Sequence, residues 1–247
     1  MPFLGSSYPS YTFPGLSRGL LAIEKPRVTW DVIPDQYWKR SQEAYEFIQG
    51  VKLHNHRFNA IDFIIGEMKK VSSLDIGCGP RGLGTSANID IAYPPIIPDN
   101  FQIMDGHELH FPSNTFEAVS LLEVIEHVEN PSQVLREIYR VLKKDGILFL
   151  TTPNSSHISI FIKYLRNKRV RIHCDHLHTW HWEMLAWLIH NVGFRDIEVY
   201  FWGYVDQMKR EGKPVKLYRS YRLANLIYRL GFRSPMLNLN MFIVCRK

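Results

Sequence analysis

Two short stretches of the chain concentrate residue types that can do chemistry. In the first, the run Val71-Ser72-Ser73-Leu74 leads into Asp75-Ile76-Gly77-Cys78-Gly79-Pro80. Glycines spaced by one after an apolar strand let the backbone turn sharply and approach a ligand closely. Asp75 can organise that turn or accept a hydrogen bond from a ligand ammonium group. Asp90, closing Asn88-Ile89-Asp90, suits the two hydroxyls of a ribose, the role an acid plays after the second strand of dinucleotide folds. In the second stretch, Glu123-x-x-Glu126-His127 gathers two carboxylates and an imidazole. With helical geometry Glu123 faces Glu126 at i+3 and His127 at i+4. Such a set can hold a divalent cation, and its mixed ligands favour magnesium, manganese or iron over structural zinc. It can equally work without metal, with His127 taking a proton from a hydroxyl.

The elements that must position these residues alternate. The spacing of Tyr37, Tyr45, Ile48, Phe58, Ile61, Ile64 and Ile65 predicts helix over 36–70, broken near Gly50. Strands are expected at 71–76, 88–91, 101–104, 118–122, 147–151, 197–202 and 241–245, the last at the C-terminal edge of the sheet. Asn130 can cap a helix with Pro131 at its first position and Val134, Leu135, Ile138, Val141 and Leu142 as its buried stripe. Lys143 and Lys144 suit that helix's negative end, and Gly146 is expected to end it in the left-handed conformation. A further helix over 182–191 closes at Gly193. This alternation predicts an α/β fold with a doubly wound, mostly parallel seven-stranded Rossmann-like sheet. Its ligand cleft would be made by the loops after Ile76, Ile91, Met104, Leu122 and Thr151. The expected organisation is an N-terminal extension and helix over 1–70, a core over 71–205, and a basic insert plus last strand over 206–247.

The ordered set of motifs resembles the class I S-adenosylmethionine-dependent methyltransferases, in the broad group that includes ubiquinone-type O-methyltransferases. The resemblance spans about 71–202 and rests on Leu74-Asp75-Ile76-Gly77-Cys78-Gly79, Asp90, Asp105 with Leu109, Phe111, Pro112 and Phe116, the block 122–128 with its following helix, and Thr151-Thr152-Pro153-Asn154. It implies S-adenosylmethionine as cofactor, held by Asp75, Gly77, Cys78, Gly79, Asp90, Ile91, Asp105, Gly106, His107, Leu122 and Glu123, with Asp105 at the adenine amino group. It implies catalytic roles for Glu123, Glu126 and His127. Two kinds of relative use this triplet for a metal: ubiquinone-pathway O-methyltransferases, and enzymes that methylate the 2′-hydroxyl at small-RNA 3′ ends. The second kind adds a downstream histidine, which His176 resembles, so the implied metal set is Glu123, Glu126, His127 and His176, with magnesium or manganese as the ion. One spacing departs from the pattern. Only eleven residues separate Gly79 from Asp90, against about 20 in dinucleotide folds. The first crossover helix must be reduced to a turn, leaving an edge near the second strand for the N-terminal helix to cover.

Composition narrows the surroundings. The 247 residues are 45% hydrophobic and 22% charged, ordinary for one globular domain with additions. There is no apolar stretch of membrane-spanning length and no secretory leader pattern. Cys78, Cys174 and Cys245 are odd in number and widely spaced, which fits free thiols in a reducing, cytoplasmic setting. The net charge of +6 is concentrated: 206–247 carries ten Lys/Arg against two acids, and 163–171 carries five bases and no acid. Methyl transfer to a hydroxyl of a small-molecule, glycan or lipid-like substrate is the first functional reading. RNA 2′-O-methylation is the alternative that the basic runs favour. A non-catalytic cofactor-binding scaffold is the third. As a helix, 218–230 mixes Leu226 and Leu230 among Arg219, Arg222 and Arg229, a poor amphipathic face for peripheral membrane contact. The His176, His178 and His181 group beside Trp180, Trp182 and Trp187 reads equally as packing under the cleft and as substrate contact.

Overall fold

A computed structural model describes residues 35–54, 60–80, 82–165, 175–202 and 240–247. The extension up to residue 34, residues 166–174 with most of the first basic run and Cys174, and the insert from 203 to 239 lie outside the described residues. The chain divides into a small unit, 1–41, and a large one, 42–247, which carries the sheet and the candidate site.

The described strands form one sheet. They are β1 (Lys52–His54), β2 (Ser73–Ile76), β3 (Ala87–Asp90), β4 (Phe101–Ile103), β5 (Phe116–Leu122), β6 (Leu142–Pro153), β7 (Arg195–Trp202) and β8 (Asn240–Arg246). Their order is β1-β7-β8-β6-β5-β2-β3-β4, and only β8 runs antiparallel to its neighbours. The expected mostly parallel α/β sheet is therefore present, with two corrections. It has eight strands, because the three-residue β1 pairs with β7 in the interval expected to be helix. And β8 is not at an edge: it inserts between β6 and β7, and its Met241, Phe242 and Ile243 are fully buried.

Alternation along the strands splits the core between the two faces. On one face, Ala118, Phe149 and Phe242 meet Ala60, Ile64 and Met68 of α2 (Ala60–Met68). On the other, Val119, Leu121, Leu148 and Leu150 meet α3 (Pro131–Val141) and α5 (Trp182–Val192). The predicted cap of α3 is formed, with Asn130 accepting from the Gln133 amide at 3.2 Å. Val134, Leu135, Ile138 and Val141 are fully buried, each contributing about 1.5–3 kcal/mol of burial as an upper estimate. The other two helices are α1 (Asp35–Gly50) and α4 (Ile158–Leu165). Of the interval expected as one N-terminal helix, α2 packs against the shortened crossover, its Ala60, Ile64 and Met68 clustering with Leu83, and the end of α1 lies elsewhere. Its Phe47 stacks on His190 of α5 at 4.2 Å, across the sheet from β3.

The C-terminus of α3 also differs from expectation. The helix ends at Val141 and passes directly into β6, so Lys143 and Lys144 are strand residues. Asp145, not Gly146, takes the left-handed conformation, at φ 62°. Gly146 is required for space: a Cβ there would stand 2.9 Å from the Lys143 carbonyl oxygen and 3.2 Å from that of Glu117. Gly66, on the exposed side of α2, has nothing within 4 Å of the same atom. Gly146→Ala should lower stability by about 1–3 kcal/mol, while Gly66→Ala should raise it by about 1 kcal/mol. Denaturant titration of both variants checks this, and equal effects of the same sign would contradict the packing described.

Candidate active site

The sheet changes direction at β2. β3 and β4 extend to one side, β5 and β6 to the other, and ligands of open α/β sheets bind at such a point, beyond the C-terminal strand ends. The glycine loop leaves β2 there. The amides of Gly77 and Cys78 both donate to the Ile89 carbonyl, at 2.9 and 3.1 Å. Gly77 sits at φ 67°, and a Cβ on it would lie 2.4 Å from Val124 Cγ2. Gly79, at φ 55°, has nothing within 4 Å of a would-be Cβ. The first glycine is needed for close approach within the protein, and the second borders space that a ligand can fill.

The acids at this end are held differently. Asp75 is buried and accepts from Ser120 Oγ at 2.6 Å; burial pushes its carboxyl up to about 6 against the Ser120 and Leu83 donors. Burial, with the nearby Asp75 and Asp90 charges, likewise pushes the Cys78 thiol up to about 12. A thiol held protonated is a poor nucleophile. Asp90 accepts from the Gly79 amide at Oδ2 (3.1 Å) and the Ile91 amide at Oδ1 (2.8 Å). Two backbone donors fix the carboxylate, and each oxygen retains capacity for a ribose hydroxyl. Ile91, 75% exposed, stands at the lip beside it.

The next loop is braced by α3. Asp105 Oδ1 accepts from the amide of His107 at 2.9 Å and from its Nδ1 at 2.7 Å, and His107 Nε2 accepts from the Asn130 amide at 3.1 Å. These donors hold the Asp105 carboxyl below its usual range. Buried Gly106 lies between Ile76 and Val134.

Residues 123–127 form a turn, not the helix start expected. Glu123 takes φ 56°, a strained conformation for a non-glycine residue, and its amide donates to the Thr151 carbonyl at 3.0 Å. Its side chain is open to solvent at the cleft yet walled by protein. Desolvation, then the neighbouring Glu126 carboxylate, pushes it up to about 7. Leu122, half-buried, ends β5 just before it. Glu126 is buried, with Oε2 accepting from Thr152 Oγ1 at 2.9 Å and Oε1 unpartnered among the described residues. Desolvation pushes its carboxyl up to about 6. His127 is about a third exposed (35%). Its Nδ1 lies 3.1 Å from the Asp175 carbonyl oxygen, which can only accept, so Nδ1 carries the proton and Nε2 presents its lone pair. The His176 ring meets that of His127 edge-on at 4.6 Å. Ligand atoms of Glu126, His127 and His176 lie within 4.8 Å of one another; Glu123 stands outside this group. Of the tryptophans, Trp180 is buried and Trp182 packs against the core, whereas His176 lies beside His127 and His181 is exposed.

Four residues that brace the site had not been given a part in it. Ser120 reaches Asp75 only through the register of β2 with β5. Val124 closes on Gly77, Asn130 on His107, and Asp175 on His127 through the fold. Thr152 lay within the quoted 151–154 motif, but without a role.

A glycine loop at the direction change of a parallel sheet, with an acid after the next strand, defines a Rossmann-like nucleotide-cofactor protein. Comparison places it further. Residues 54–199 match the family model described as a methyltransferase domain. The chain is 29% identical over 146 residues to a ubiquinone biosynthesis O-methyltransferase of Pseudomonas putida, covering 51% of this chain and 61% of that protein. It is 41% identical over 61 residues to a ubiquinone/menaquinone biosynthesis C-methyltransferase of Desulfotalea psychrophila, 24% of this chain and 25% of that protein. It thus spans a quarter to about three fifths of the length of these curated relatives. Among solved structures, a Thermotoga maritima S-adenosylmethionine-dependent methyltransferase, described as a possible histamine N-methyltransferase, superposes with a TM-score of 0.53 at 15% identity, over 86% of this chain and 97% of that one. A Mesorhizobium loti S-adenosylmethionine-dependent methyltransferase gives 0.51 at 15%, over 76% and 96%; both likenesses are of fold. The chain belongs to the methyltransferase-domain family, within the class I S-adenosylmethionine-dependent methyltransferases.

The folded Asp75 carboxyl keeps its proton to about 6, whereas an unburied one releases it at 3.8. Between these values the folded state binds more protons, so this group's contribution to stability falls as pH rises through the window. Asp75→Asn should remove that fall. Melting of wild type and variant across the window checks it, and parallel pH profiles would show that Asp75 titrates normally.

Proposed function

We propose that the protein transfers the methyl group of S-adenosylmethionine to a hydroxyl oxygen of a small or lipid-like molecule, with His127 as the base. The carrying observation is the His127 Nδ1 contact to the Asp175 carbonyl, which aims the Nε2 lone pair for proton abstraction. The bound cofactor supplies an activated methyl group on a sulfonium, so the protein's task is alignment of nucleophile, carbon and sulfur. The space beside Gly79 and the two-donor seating of Asp90 fit the amino-acid and ribose portions. Asp75 and Asp105 shape the flanking loops. Glu126, as a carboxylate close to His127, stabilises the imidazolium formed when the hydroxyl proton is taken.

A second reading has its own observation. Glu126 Oε1, buried and unpartnered among the described residues, belongs to a carboxylate grouped with His127 and His176, their ligand atoms within 4.8 Å of one another. One carboxylate and two imidazoles suit iron or manganese better than magnesium, and such an ion bound by these three residues would lower the pKa of the acceptor hydroxyl. His127 is then a ligand rather than the base.

Three measurements separate these. Asp90→Ala should weaken S-adenosylhomocysteine binding at least tenfold by calorimetry; unchanged affinity would remove the ribose assignment. His127→Ala should cut turnover about 100-fold or more and leave that affinity within about twofold. Turnover is read as S-adenosylhomocysteine released with phenols, catechols, hydroxylated prenyl lipids and RNA 3′ ends as acceptors, and a fully active variant would sink the base role. Cofactor titration in EDTA and then with manganese decides the second reading: activity unchanged by both removes the metal.

A further inference from the structure

Helix α3 holds the loop after β4 at two places. Towards the helix end, Arg140 donates to the Leu109 and Phe111 carbonyls at 2.6 and 2.8 Å, and Glu137 accepts from the Leu109 amide at 2.8 Å. At the helix start, Gln133 Nε2 donates to the His107 carbonyl at 3.3 Å, and the Asn130 amide meets His107 Nε2 at 3.1 Å. An amide N–H only donates, so Nε2 holds the lone pair and Nδ1 carries the proton. That proton goes to Asp105 Oδ1, at 2.7 Å. The His107 amide adds a second bond to the same oxygen, at 2.9 Å.

One oxygen is left over. Both ring nitrogens of His107 are engaged, so the imidazole has neither donor nor acceptor to offer a ligand. Asp105 Oδ1 takes two donors, and Oδ2 takes none among the described residues, on a side chain 61% exposed. Without the ring, a single amide would hold the carboxylate and let it turn about that contact. The Met104 amide donates to the Asp90 carbonyl at 3.0 Å. Asp105 therefore stands one strand along from the acid proposed to seat the ribose.

We propose that His107 is a positioning residue, which turns Asp105 Oδ2 toward the amino group of the cofactor's adenine and so selects aminopurine over oxopurine cofactors. This rests on the S-adenosylmethionine reading above and adds how the base is told apart. A carboxylate oxygen accepts from an amino group and repels a carbonyl oxygen in the same place. A fixed Oδ2 discriminates between them, and a carboxylate free to turn does so poorly. The histidine acts through Asp105 and makes no contact of its own with the base.

The test compares S-adenosylhomocysteine with S-inosylhomocysteine, which carries oxygen in place of that amino group, by calorimetry on the full chain. Wild type should prefer the adenine ligand by about tenfold or more. His107→Ala should reduce the preference to about threefold or less. His107→Asn places an amide donor near the Nδ1 position and should restore it. His107→Gln places its amide near the Nε2 position, keeps only the Asn130 contact, and should behave as His107→Ala does. A merely structural part for His107 would lower the melting temperature and leave the preference at its wild-type value, which overturns the proposal. Rescue by glutamine rather than asparagine also overturns it. Asp105→Ala separates the two readings. Preference lost there but kept in His107→Ala removes the positioning role alone. Preference kept in Asp105→Ala, or absent from wild type, removes the adenine assignment and the positioning role with it.

Discussion

The close approach of Gly77 to Val124 is the constraint on which the rest of the site depends. With 2.4 Å between a would-be Cβ and Val124 Cγ2, no residue with a side chain fits without moving the turn after β5. The loop after β2 and the turn carrying Glu123, Glu126 and His127 are thereby one packed unit at the point where the sheet changes direction. Other contacts join the remaining loops to it. Gly79 reaches Asp90, His107 reaches Asn130, Glu123 reaches Thr151 and Glu126 reaches Thr152. The five strand ends act as one surface because each is bonded or packed to the next, which is how a cleft keeps its geometry before any ligand arrives.

The shortened first crossover follows the same logic. A turn closed by the Gly82 amide on the Cys78 carbonyl replaces a helix. Thr85 and Asn88 then knit its far end, with Thr85 Oγ1 at 2.8 Å from both the Ala87 carbonyl and Asn88 Oδ1. Asn88 Nδ2 in turn donates to the Asp99 carbonyl at 2.7 Å. A polar lattice thus does locally what helix packing does elsewhere in the sheet, and it delivers Asp90 to the Gly79 amide. The missing helix leaves the ribose acid intact.

The parts legible in the sequence are those set by local pattern. The order of motifs, the glycine loop, the Asn130 cap and the buried stripe of α3 each follow from spacing of 2 or 3.6 residues or from one residue type at one place. What escaped depends on pairing between distant segments. β1 has three residues and no alternation to read; it is a strand because β7 offers an edge. β8 reads as a strand anywhere, and its place between β6 and β7 is a matter of topology. Gly146 looked like a left-handed helix end, but Asp145 takes that conformation and the glycine answers a spatial demand from the nearby Lys143 carbonyl and from that of Glu117, far off in sequence. Glu123, Glu126 and His127 have helical spacing, yet Glu123 at φ 56° breaks the helix and separates itself from the other two.

That separation gives the carboxyl groups distinct electrostatic settings. Asp105 and Glu137, at the periphery, are held below their usual range by hydrogen-bond donors. Asp75 and Glu126, both buried, are pushed up because burial removes water faster than donors replace it, and exposed Glu123 is pushed the same way with Glu126 beside it. Three acids short of compensation at one place favour a positively charged ligand, whose arrival restores what desolvation took away. On the proposed reading, the sulfonium and ammonium groups of S-adenosylmethionine meet that demand. The demethylated product lacks the sulfonium charge and meets it less well. On that reading, the arrangement that draws the cofactor in also weakens the hold on what remains after methyl transfer.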